Sequence, residues 1–139
     1  MVRTCRKHAS REKFMDRSQT QQDEDNLRDA INRELDFVRS VGTDRNLILA
    51  TSNQGAFEAL LMLMLDHEEG LPVYRTLEQV RSRYASQSGI IKRLRVLREA
   101  GLIEARPGRK GSEVYLAPSR EIMESLGPLL TQKFRTQSD

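Results

Sequence analysis

The chain has 139 residues, 37% hydrophobic and 31% charged, with no tryptophan, enough for one domain that builds its core without metal or disulfide support. A single cysteine, Cys5, excludes a disulfide-built module, and the longest apolar run, 59–65, falls far short of the roughly 20 residues of a membrane-spanning helix. Net charge is only +3 but it is sorted: residues 1–22 carry +4, 23–74 carry −7, 75–111 carry +7 and 112–139 carry −1. A +7 block beside a −7 block implies one surface built for an anion and another with a different task. The opening residues are basic with no apolar stretch behind them, so no secretory signal and no membrane partner are expected, and the cytoplasm is the expected compartment.

In chain order, residues 1–22 lack apolar periodicity and read as a disordered basic arm, with a plain solvated tail as the equally good reading. A helix is expected from Asp23, where Asp23, Glu24 and Asp25 suit the positive end of a helix dipole. Leu27, Ile31, Leu35 and Val38 give it one apolar stripe, and Gly42 stops it. Residues 47–50 are apolar, short and ambiguous. A central, nearly all-apolar helix follows over about 53–67, capped by Thr51 or Ser52. Val73 and Tyr74 suggest a very short strand. Thr76, with Gln79 three residues on, fits a capping box and starts another helix, whose inward face is Leu77, Val80 and Tyr84. Ser86 starts the next helix after a tight turn. It runs over 87–100 with Ile90, Leu94 and Leu97 inward, and Gly101 ends it. Two β-prone runs, 102–106 and 112–117, flank a Pro/Gly turn and read as a hairpin with Arg109 and Lys110 at its tip. Ser119 caps a last helix carrying Ile122, Met123, Leu126, Leu129 and Leu130, which Gly127 and Pro128 should kink or interrupt.

This order of elements over 53–117 is that of a winged helix-turn-helix, in a chain that is mainly α with a small β-hairpin and has further helices at both ends. The 87–100 helix presents Ser88, Lys92, Arg95 and Glu99 opposite its apolar face, with Gln87 near its start. Such a helix fits a major groove, where Gln and Arg read base edges and Lys neutralises phosphate. With Ser86 and Arg93 on the same helix, and Arg106, Arg109 and Lys110 on the wing beside the backbone or minor groove, these residues form the candidate DNA-binding set. A basic helix face taken alone is more often just solvated. Joined to a tight turn, a Gly-Leu-Ile hinge and a basic hairpin tip, it reads as a DNA contact.

Residues 86–103, running Ser86, Gln87, Ser88, Gly89, Ile90 and on to Gly101, Leu102 and Ile103, resemble the recognition helix and following strand of the MarR family of bacterial transcription regulators. Residues 114–119 resemble that family's closing strand and the start of its dimerisation helix. The resemblance implies a homodimer on double-stranded DNA with a pseudo-palindromic site, built by helices from both chain ends. Here those would supply Leu27, Ile31, Leu35 and Val38 together with Ile122, Leu126, Leu129 and Leu130. It also implies a small-molecule effector, with Met62 and Met64 as candidate lining, although core packing accounts for both methionines better.

Catalysis is not expected: no nucleophile motif, phosphate-cradling loop or Cys-x-x-Cys is present. Nor is a cofactor or metal, since the 66–69 segment Asp-His-Glu-Glu has no second His/Cys group and reads as a solvated helix end. Cys5 lacks a partner for redox chemistry. The alternative function is a winged-helix protein of plasmid or phage replication or partition, or one whose wing binds another protein. An RNA-binding module fits less well, because aromatics for base stacking are only 5% of the chain.

Overall fold

The computed structural model describes residues 2–82, 86–108 and 113–135, with side chains from Arg17 onward. Among these residues the protein is mainly helical with one small antiparallel sheet. The elements are α1 (Val2–Val41), α2 (Arg45–Thr51), α3 (Gln54–Leu65), β1 (Leu71–Pro72), α4 (Val73–Gln79), α5 (Gln87–Glu99), β2 (Ile103–Pro107), β3 (Val114–Pro118) and α6 (Arg120–Lys133). No single described helix is long and apolar enough to cross a membrane. The chain divides into two units, Met1–Asp36 and Phe37–Asp139.

The first unit is the greater part of α1. This helix begins at Val2 rather than at Asp23, so the stretch expected to be a disordered arm is helical. Residues 2–41 contain neither Gly nor Pro and are rich in Arg, Lys, Gln and Glu, all good helix formers. Side-chain bonds at i, i+4 add to this: Gln19 to Asp23 at 3.1 Å, Gln21 to Asp25 at 3.2 Å and Gln22 to Asn26 at 3.0 Å. The acids at 23–25 therefore sit inside the helix and not at its dipole end. Leu27, Ile31 and Leu35 are exposed, as is Val38 in the next turn.

The second unit holds the core. It opens with Phe37 and Val41, both buried, and Gly42 then ends α1. Asp44 caps α2, its Oδ1 accepting from the N–H groups of Asn46 (2.8 Å) and Leu47 (3.4 Å). The ambiguous 47–50 stretch is therefore a helix, with Leu47 and Ala50 inward. Asn53, not Thr51 or Ser52, caps α3 through a bond from Ala56 N–H. Ala56, Ala59, Leu60 and Leu63 of α3 pack into the centre of the unit.

The short strand falls at Leu71 and Pro72, two residues before the expected place, and α4 starts where the strand was expected. Thr76 lies inside α4 and is fully buried. Its hydroxyl donates to the Pro72 carbonyl at 3.0 Å instead of capping a helix start. Leu77 and Val80 pack against the core as expected, while Tyr84 lies outside the described residues.

The sheet order is β1-β3-β2. Ala105 faces Leu116 across the hairpin and Leu71 faces Leu116 from the other side, so β3 is central. The hairpin tip, with Arg109 and Lys110, lies outside the described residues. At the far end of β3, Ser119 N–H donates to the Leu102 carbonyl at 2.9 Å, and its Oγ caps α6 by accepting from Ile122 N–H.

Helix α6 runs through Pro128 without interruption. The missing proline N–H would have bonded the carbonyl of Glu124, an exposed residue whose carbonyl water can serve. Ile122 and Leu126, assigned from sequence to a dimer interface, are 0% exposed within the single chain, and Leu129 and Leu130 pack partly against the same core. The cause is α6's position directly after β3, which lays its apolar stripe on the unit's own core. Asn46 of α2 donates to Glu121 of α6 at 3.3 Å on the flank. Leu126→Ala is accordingly expected to lower the stability of the folded chain by about 2–5 kcal/mol, read as a lower urea midpoint. An unchanged midpoint would place α6 outside the core.

Candidate nucleic-acid interface

Helix α5 is built as two opposed faces. Ile90, Leu94 and Leu97 are buried, and the same 3.6-residue period forces the positions between them outward. Its start is fixed by Ser86, whose Oγ accepts from Gly89 N–H at 3.1 Å. Gly89 leaves room for that cap, since a Cβ there would lie 2.9 Å from Ser86 Oγ. Its end is a glycine turn: Gly101, at φ +79°, donates to the Arg98 carbonyl, and Leu102 N–H reaches back to Leu97 at 2.9 Å. Leu97 and Leu102 are both fully buried, so the turn locks α5 to the start of β2.

The outward surface of α5 gathers most of the residues expected to meet DNA. Gln87, Ser88, Lys92, Arg93 and Arg95 are all exposed, together with Arg98 and the carboxylate of Glu99. Four cations stand against one acid along the helix, and none of the four is paired with another described residue. Ser86 is exposed at the helix start, but its hydroxyl serves the backbone, with Ser88 Oγ 3.5 Å away.

Arg106, also expected to meet DNA, has partners within its own chain. Its Nη1 donates to the carbonyls of His67 (3.0 Å) and Glu68 (2.6 Å), and its Nε lies 3.5 Å from Glu104. These carbonyls follow the C-terminal end of α3, where a cation is favoured by the helix dipole. Arg106 therefore ties β2 to the end of α3. Met62 and Met64 pack against the core, as the apolar surroundings of α3 dictate.

Glu58 was not singled out from sequence. It is the one charged residue in α3, a carboxylate set in an otherwise apolar run, and that isolation is the signal that could have marked it. Its oxygens accept from the backbone N–H groups of Arg81 and Ser82 and from the Ser82 hydroxyl. The segment after α4 is thus held onto α3 just ahead of α5. Partial burial pushes the Glu58 carboxyl up. The Ser82 hydroxyl, the two backbone donors and the Arg81 charge together outweigh this and hold it below its ordinary value of 4.5.

Comparison with protein families, curated proteins and solved structures gives no match for this chain.

Because the folded carboxyl is the stronger acid, its contribution to stability is complete above the ordinary Glu range and is lost as pH falls through the lower folded value. Glu58→Ala should cost about 1–2 kcal/mol at neutral pH, the partial exposure of the carboxylate moderating its charged hydrogen bonds. In urea unfolding the gap between variant and parent should close as the pH is taken below 4.5. A gap that persists unchanged in acid would show that the ionised carboxylate is not what holds the segment.

Proposed function

We propose that this chain is a sequence-specific double-stranded DNA-binding protein of the winged-helix type, a MarR-like transcription regulator acting as a homodimer. The observation that carries the reading is the outer face of α5, with Lys92, Arg93, Arg95 and Arg98 exposed on a helix whose opposite face is anchored in the core. The sequence of elements α3, β1, α4, α5, β2, β3 and the strand order β1-β3-β2 support the winged-helix part. In this reading α5 enters the major groove, Gln87 and Arg95 address base edges, and Lys92 neutralises phosphate. The hairpin carrying Arg109 and Lys110 lies on the flanking backbone or minor groove.

The test is a gel shift on duplexes with graded salt. The parent should bind with affinity that falls steeply as salt rises. Lys92→Ala should weaken binding to all sequences and reduce the salt slope by about one. Arg95→Ala and Gln87→Ala should each cost about 1–3 kcal/mol at particular base pairs. Three variants that bind like the parent would remove α5 from the interface. A parent that binds no duplex would favour a protein-binding winged helix instead.

A further inference from the structure

The unit Met1–Asp36 carries its charge in two lengthwise halves. Residues 2–17 hold six cations, Arg3, Arg6, Lys7, Arg11, Lys13 and Arg17, against two acids, Glu12 and Asp16. Residues 18–36 hold six acids against two arginines. Both halves belong to one helix, which begins at Val2. That backbone gives the basic half a sidedness that the linear order hides. At about 100° per residue, positions 3, 6, 7, 11, 13 and 17 fall within an arc of about 160°, and positions 12 and 16 both fall outside it. The arc runs for about 21 Å along the axis, at 1.5 Å per residue. The acids of 18–36 are not sorted in this way and fall on three sides of the helix.

We propose that residues 3–17 of α1 are a second DNA-binding surface of this protein, laid along the major groove of a duplex and held by phosphate. Three features select this ligand. The first is the width of the arc. A helix lying in a groove about 12 Å wide has a phosphate backbone on either side, so cations spread over almost half its circumference meet both strands. The second is its length. Phosphates of one strand recur every ~3.4 Å of duplex axis, so about 21 Å of helix passes about six of them. The third is the lack of an apolar face. Phe14 falls inside the basic arc and Met15 outside it, and Val2, Cys5 and Ala9 share their side with Glu12 and Asp16. A helix that lies on a membrane needs an apolar face opposite its cations. The proposal takes its ligand from the DNA-binding reading above, but it rests on α1 alone and not on α5.

The test is a gel shift of the full chain on random duplex at graded salt. Arg3→Gln, Lys7→Gln and Arg11→Gln are combined in one variant, whose helical circular dichroism should be kept because Gln is close to Lys and Arg in helix propensity. The slope of log affinity against log salt should fall by about 3, close to one per phosphate contact removed. A variant of equal charge with Arg28→Gln, Arg39→Gln and Arg45→Gln should keep the parent slope. A chain carrying Lys92→Ala and Arg95→Ala should still bind random duplex, and adding the α1 triple change should weaken that binding further. An α1 variant with the parent slope overturns the proposal, and the α5 reading then stands or falls on Lys92→Ala alone. An equal loss in the 28/39/45 variant shows that net charge acts rather than this face, and also overturns it. Unchanged duplex binding together with lost binding to phosphatidylglycerol vesicles would assign the face to a membrane instead.

Discussion

The burial of Ile90, Leu94 and Leu97 is the constraint on which the rest depends. A helix has 3.6 residues per turn, so anchoring one face dictates which residues the other offers to solvent. The anchoring is reinforced at both ends, by the Ser86 cap and by the Gly101 turn that leads into buried Leu102. Arg106 and Glu58 act at a further remove. One ties the hairpin to the end of α3, and the other ties the segment ahead of α5 to the middle of the same helix. Helix α3, buried and nearly all apolar, is the post to which both sides are fastened.

Energetics explain how α5 tolerates its charge. Lys92, Arg95 and Arg98 follow one another at three-residue intervals, and each such like-charged neighbour costs a few tenths of a kcal/mol. Burying Leu94 and Leu97 offsets this several times over, at roughly 1.5–3 kcal/mol for each side chain. The repulsion is held in place by packing and is relieved by a polyanion, the proposed ligand. Arg106 shows the contrast. Placed against carbonyl oxygens of its own chain, it has an internal partner and belongs to the scaffold.

Sequence was most legible where one local rule sufficed. The period of α5, its serine cap and its terminal glycine each have a mechanism that acts within a few residues, and the helix ends within one residue of where they put it. Legibility failed where a pattern has more than one physical solution. Thr76 with Gln79 matches a capping box, yet the preceding Leu71 and Pro72 pair with β3, and the threonine hydroxyl is satisfied inside the helix by Pro72. The stripe on α6 announced that something would be buried but not against what, and the unit's own core took Ile122 and Leu126. The first 22 residues lack an apolar face, which argued against order, while their helix-forming composition and i, i+4 pairs act without one. The deepest miss was Glu58, because a lone carboxylate in an apolar helix acquires meaning only when the chain folds back over it 23 residues later.

The central claim, that this chain reads DNA sequence as a two-fold dimer, is tested most directly by selecting bound sites from random duplexes with the purified protein. The account predicts enrichment of a motif made of two inverted half-sites, each half contacted by one copy of α5. A pool that remains random after repeated selection would contradict it.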